Sequence, residues 1–203
     1  MSAEPIKSPV HEPAAEFSQH ERDTLLSLAR LSIEQAVQYG RALSLDPVNL
    51  PRGCHEPRAC FVTLTKAGEL RGCIGTLTPE EPLWRMVVSN ARGAAERDTR
   101  FAPVTADELA DLRIEISILS KPRPLQFASP DDLLGQLRPM VDGVILLFGG
   151  HRATFLPKVW EDIPEKAAFL GRLCLKAGLP PEAWRRTGVE VEVYTVEAFA
   201  EGR

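Results

Sequence analysis

Residues 59–76 read "ACFVTLTKAGELRGCIGT", and this stretch decides the fold class. Aliphatic, aromatic and β-branched residues flank the turn Lys66-Ala67-Gly68 on both sides, which predicts the two strands of a hairpin. The second strand carries an anomaly. "LRGCIGTL" (70–77) places an arginine, two glycines and a cysteine where a strand would bury aliphatic side chains. Glycine weakens a strand interior and often marks a close approach to the backbone, and a charge beside a thiol fills a core poorly.

Working outward from the hairpin, Ser18 followed by Glu21 is a capping-box pattern. Leu25, Leu28, Ala29, Ser32, Ala36 and Tyr39 then recur at helical spacing up to Gly40. A proline-rich linker covers 46–57. Pro82 opens a helix in "PLWRMVVSNARGAAER", whose Leu83, Met86, Val87, Asn90, Ala91, Ala94 and Ala95 share one face. Thr105 with Glu108 caps a short helix before the strand "LRIEISILS" (112–120). The second half predicts a helix capped by Ser129, a hairpin around Gly149-Gly150, a helix ending at Gly178 and one final alternating strand, "VEVEVYTVE" (189–197). Hairpins and helices mix without a regular βαβ order, so the class is α+β with a mixed or antiparallel sheet.

A chain of 203 residues with 44% hydrophobic content can build one substantial core or two small subdomains. Residues 1–17 hold Pro5, Pro9 and Pro13 among small and charged residues, so they are expected to be a disordered N-terminal tail before a domain over 18–203. A net charge of −4 gives no electrostatic reason to expect a nucleic-acid partner. No signal or membrane segment is visible, so a cytoplasmic location is expected, with Cys54, Cys60, Cys73 and Cys174 as thiols. GxxxxGK[ST], GxGxxG, HExxH and GxSxG are all absent, and no cofactor is expected.

Six segments in order, "RGCIG", "DTRFAPVTADEL", "IEISILS", "VDGVIL", "ATFLPKVWE" and "CLKAGLPPEAW", closely resemble the AMMECR-type domain over Ser18 to the C-terminus. More narrowly they are similar to the branch of that family belonging to the AmmeMemoRadiSam system. The resemblance implies a larger and a smaller subdomain meeting at a cleft, and a genomic association with a Memo-like protein and a radical-SAM protein. It leaves the reaction open. "APVT" stands where a doubled proline is common after the phenylalanine, a departure that touches only local turn geometry.

Strand alternation puts Arg71 and Cys73 on one face of the hairpin and Leu70, Gly72 and Ile74 on the other. In "LRIEISILS" it groups Glu115 and Ser117 opposite Ile114, Ile116 and Ile118. With apolar faces sharing a core, Arg71, Cys73, Glu115 and Ser117 fall on one side, lining a cleft or facing solvent. Two readings stay open. In the first, Arg71 lowers the pKa of Cys73 and Glu115 serves as acid or base; Gly72 and Gly75 admit a ligand to the backbone, and that ligand, a small molecule, also meets Arg100 and Ser117. In the second, Cys73 is a small filler, Arg71 and Glu115 form a structural ion pair, and the glycines relieve crowding.

A cysteine nucleophile usually needs a histidine, for which His55 and His151 are the candidates. Cys54, His55, Cys60 and Cys73 match none of the usual zinc spacings, and Cys60 is expected to face the core opposite Phe61, so no metal is expected. Cys174 is expected to pack with Leu170, Leu173 and Ala177. Arg100 either reaches a carboxylate or meets an anionic ligand, while Thr154 and Lys158 are candidates for the cleft edge. Two classes of function remain: an enzyme or ligand-processing subunit with Cys73 and Glu115 as catalytic residues, and a non-catalytic interaction or scaffold module.

Overall fold

The hairpin forms as expected: β1 (Cys60–Lys66) and β2 (Glu69–Thr76) pair antiparallel, and the turn carries Ala67 and Gly68 in the left-handed region. The structure is a computed structural model and describes residues 17–202. β3 (Leu112–Leu119) and β8 (Val196–Ala200) complete an antiparallel sheet in the order β2-β1-β3-β8. Cys60, Val62, Leu64, Ile114, Ile116 and Ile118 alternate onto one face. There they are buried with residues of α1 (Gln19–Tyr39) and α2 (Leu83–Glu96). Both reciprocal bonds of the Ser18–Glu21 capping box are made, and Gly40 ends α1 in a left-handed conformation.

A second antiparallel sheet follows the order β4-β7-β5-β6. It comprises β4 (Arg123–Pro124), β5 (Gly143–Phe148), β6 (His151–Phe155) and β7 (Glu190–Tyr194). Helices α3 (Pro130–Gln136), α4 (Val159–Asp162) and α5 (Lys166–Lys176) accompany it. Its core centres on Trp160, stacked on Phe169 at 3.6 Å and donating its indole N–H to the Asp142 carbonyl at 2.7 Å.

The single final strand expected at 189–197 is in fact two, one in each sheet. Thr195 is the break, and its neighbour across the junction is Ser120, where the chain passes from β3 towards β4. Ser120 N–H donates to the Thr195 carbonyl and Thr195 N–H to the Ser120 hydroxyl, each at 2.9 Å. Both crossings between the sheets are therefore stitched side by side, next to a small junction core of Ala59, Leu119, Ile145 and Tyr194. Alternation alone reads straight through such a point, because β7 and β8 are both genuine strands.

Most of the expected tail lies outside the described residues. Its last residue, Phe17, packs against the helix-covered core and donates its backbone N–H to Glu197 at 3.2 Å. The glycines of the RGCIG strand also find their reason here. A Cβ on Gly72 would stand 2.2 Å from the Ala94 carbonyl oxygen of α2, and one on Gly75 would stand 2.0 Å from the Phe61 ring. Gly72→Ala is thus expected to cost about 1–3 kcal/mol by overpacking. Gly135→Ala, in α3 with nothing within 4 Å, is expected to be neutral or stabilising. Urea unfolding of both variants checks this, and an unchanged midpoint for Gly72→Ala would contradict the helix–strand contact.

Candidate functional site

The open face of the first sheet is set by register. Cys73 lies opposite Thr63, which lies opposite Glu115; one step along, Gly75, Phe61, Ser117 and Ala198 form the neighbouring row. Adjacent strands run about 4.8 Å apart, so Cys73 and Glu115 are separated by about two such spacings with Thr63 between them. The Thr63 hydroxyl donates to the Cys73 sulfur at 3.4 Å. This face is the floor of a cleft of about 510 Å³, whose other wall is Leu156, Pro157, Lys158 and Glu161 from the β6–α4 segment, with Met140. Met140 is exposed and holds a left-handed backbone (φ 65°), a conformation a non-glycine residue keeps only when its surroundings dictate it.

Cys73, Glu115, Ser117 and Arg100 all line this cleft, as does Lys158. Arg71 and the glycines do other work. The pairing of β1 with β2 shifts register between Leu64 and Thr65, so Leu64 faces Gly72 while Thr65 faces Leu70, and Arg71 is left as the extra residue of a bulge. Leu70 consequently joins Cys73 on the cleft face, against the expectation from simple alternation.

Arg71 turns to Glu108, meeting it through Nε at 3.0 Å and Nη2 at 2.8 Å, and also donates to the Ala102 carbonyl at 2.8 Å. Its ion-pair partner is Glu108, not Glu115, and it is not among the cleft-lining residues. Arg71 bonding, with the Thr105 N–H and Lys66, holds the Glu108 carboxyl well below the usual carboxylate range. Gly72 is buried against α2, and the surface over Gly75 is covered by the Phe61 ring.

Arg100 reaches a carboxylate, the first of its two expected roles, and still lines the cleft. Its Nε and Nη2 bind the Asp98 carboxylate at 2.9 and 2.7 Å, while the side chain remains more than half exposed along the cleft. Asp98 is nearly buried and also accepts the Cys73 backbone N–H at 2.8 Å. Arg100, chiefly, and the Cys73 and Arg100 backbone N–H groups keep its carboxyl far below the ordinary range, against the opposing effect of burial. Asp98 was legible beside Arg100 in "DTRFAP", two residues before it, but its bond to the Cys73 amide was not.

The other candidates fall elsewhere. His151 meets the Ala177 carbonyl through Nδ1 at 2.8 Å and His55 meets the Leu50 carbonyl at 3.3 Å; among the described residues no histidine lines the cleft. Thr154 bonds the Val144 carbonyl and meets the Tyr194 hydroxyl, away from Cys73. Cys60 is buried on the helix face beside Asn90, the opposite side of the sheet from Cys73, so the Cys54, His55, Cys60 and Cys73 set does not converge. Burial pushes the Cys54 thiol up to about 11 and the Cys60 thiol up to about 12, and raises that of Cys174 as well.

The arrangement is that of a small α+β domain with a two-walled cleft, and comparison with known proteins agrees on the fold. The AMMECR1 family profile matches residues 26–199: the chain belongs to the AMMECR1 family. A protein of Methanothermobacter thermautotrophicus is 39% identical over 190 residues, covering 92% of this chain and 97% of that protein. Protein MJ0810 of Methanocaldococcus jannaschii is 36% identical over 181 residues, covering 82% and 88%. The crystal structure of the uncharacterized protein PH0010 from Pyrococcus horikoshii shares the fold with a TM-score of 0.73 and 32% identity, covering 89% of this chain and 91% of that one. No helix among the described residues is long and apolar enough to cross a membrane.

Two measurements follow from this geometry. Iodoacetamide labelling of the native protein, read by peptide mass spectrometry, is expected to modify Cys73 well before Cys54, Cys60 and Cys174, which are fully buried. Cys174 reacting first would contradict the site. Glu108 and Asp98 have folded-state pKa values depressed below their unfolded ones. Their stabilisation is therefore present above about pH 4 and lost as pH falls below it. The gap in urea midpoint between the wild type and Glu108→Gln is expected to narrow from pH 7 to pH 3, and a constant gap would refute the ion-pair assignment.

Proposed function

We propose that the cleft binds a small polar ligand, and that the chain works as protein A of an AmmeMemoRadiSam system, beside a Memo-like protein and a radical-SAM protein. The observation that carries the ligand reading is convergence. Residues far apart in the chain, Cys73, Arg100, Glu115, Ser117 and Lys158, meet on the walls of one cavity. Its size falls within the roughly 300–1,000 Å³ usual for small-molecule sites. Cations from Arg100 and Lys158 and carboxylates from Glu115 and Glu161, against an apolar wall of Phe61, Leu70 and Leu156, suit a ligand bearing polar groups of both signs.

Cys73 serves this site as a thiol contact. A cysteine nucleophile is normally activated by a base within hydrogen-bond reach; the neighbours of this sulfur are the Thr63 hydroxyl and the Arg100 guanidinium, neither of them a base, with Glu115 one strand further on. Six ordered sequence segments support the system membership, and the relatives extend over nearly the whole chain. The competing view, a scaffold module with no ligand, draws on the exposed Leu70 and Met140 in the cleft lining.

Complementation of a deletion strain separates these views. Glu115→Gln and Lys158→Ala, both at exposed positions, are expected to change Tm by no more than about 2 °C yet lose in-cell function. Cys73→Ser is expected to complement, since a hydroxyl replaces a contact but not a nucleophile. Loss of function in Cys73→Ser at unchanged Tm would instead make the thiol a reactant. Complementation by all three would sink the ligand reading and favour the scaffold.

A further inference from the structure

A second, smaller cavity of about 140 Å³ opens beside the sheet junction, lined by Arg58, Lys121, Arg152, Ser120, Thr154 and Tyr194 over an apolar floor that includes Ala59 and Ile145. Every charged side chain in its lining is a cation, in a chain whose net charge is −4. Arg58 is partly neutralised by Glu56 at 3.1 Å. Lys121 and Arg152 have no hydrogen bond or salt bridge among the described residues, and both line the cavity, Lys121 from the crossing after β3 and Arg152 from β6. Two exposed cations without a partner thus border one cavity, and an anion between them would pair with both.

Two of the hydroxyls there already donate within the protein, Thr154 to the Val144 carbonyl and Tyr194 to the Phe155 carbonyl at 3.1 Å. The Ser120 hydroxyl accepts from the Thr195 N–H and keeps its own proton to donate. Recognition would therefore be chiefly ionic, through Lys121, Arg152 and the free edge of Arg58, with the Ser120 hydroxyl as an added donor. The volume limits the ligand. A water takes about 30 Å³, so the cavity holds the equivalent of about four or five, well short of the roughly 300 Å³ of sites for drug-sized molecules.

We propose that this junction cavity, separate from the Cys73 cleft, binds a phosphate group, free or on a short carbon stub. Three cations from three separate segments suit a dianion better than a singly charged carboxylate, and guanidinium forks match its oxygens.

The test uses the whole chain at a fixed ionic strength of about 0.1 M in a phosphate-free buffer. Inorganic phosphate and glycerol 3-phosphate are titrated separately, with acetate as a third arm, and binding is followed by calorimetry and ³¹P line width. Saturable one-to-one binding of either phosphate is expected, and the tighter of the two identifies the source. Arg152→Gln and Lys121→Gln, both at exposed positions, are each expected to weaken it at least about tenfold, while Lys158→Ala in the cleft leaves it unchanged. Non-saturating binding, acetate binding as tightly as phosphate, indifference to Arg152→Gln and Lys121→Gln, or loss in Lys158→Ala would each overturn the proposal.

Discussion

One nearly buried carboxylate holds the site side of this molecule together. Asp98 lies just past the end of α2 and accepts the Cys73 backbone N–H, the Arg100 backbone N–H and two N–H groups of the Arg100 guanidinium. β2 is an outer strand, so the outward N–H at Cys73 would otherwise face water, the usual weakness of a sheet edge. Asp98 closes that edge and ties it to the helix behind it. The same bond pair fixes Arg100 along the cleft, so a ligand meeting the guanidinium would find much of its rotamer freedom already surrendered. Gly72, which lets the Ala94 carbonyl approach, belongs to the same arrangement: the strand lies close to α2 only because a side chain is missing there.

The second constraint is topological. Two crossings between the sheets run side by side, stitched by the Ser120–Thr195 hydrogen bonds, and the junction core fills the space next to them. Clefts at such meeting points are common places for ligands because walls can come from independently folded layers. Here the floor is the outer face of one sheet and the facing wall is the segment that leads from β6 into α4. The small cationic cavity flanks the same junction, and Leu119 lines both cavities.

Much of this was legible in the chain because it is local. Capping residues Ser18, Thr105 and Ser129, the stop at Gly40 and the two hairpins all depend on neighbours a few positions away. The shared face of Cys73, Glu115 and Ser117 was legible too, since alternation within each strand needs only the sequence. What stayed hidden is what depends on pairing between distant segments. The bulge at Arg71, which moved Leu70 into the cleft and sent Arg71 to Glu108, is a property of how β2 registers on β1. The break at Thr195 shows only when β7 and β8 are assigned different sheets. Lys158 was suspected at the cleft edge, but Met140 and Leu156 were not, because no local signal says which loop folds over which sheet.

Amide hydrogen exchange at Cys73 tests the central constraint most directly. If Asp98 anchors the outer strand, the Cys73 amide should be protected to a degree close to the amides of central β1. Asp98→Ala should then speed its exchange at least about tenfold, equivalent to about 1.4 kcal/mol of lost protection, while β1 amides keep theirs. A Cys73 amide that exchanges freely in the wild type, or is unaffected by Asp98→Ala in a folded protein, would contradict the account.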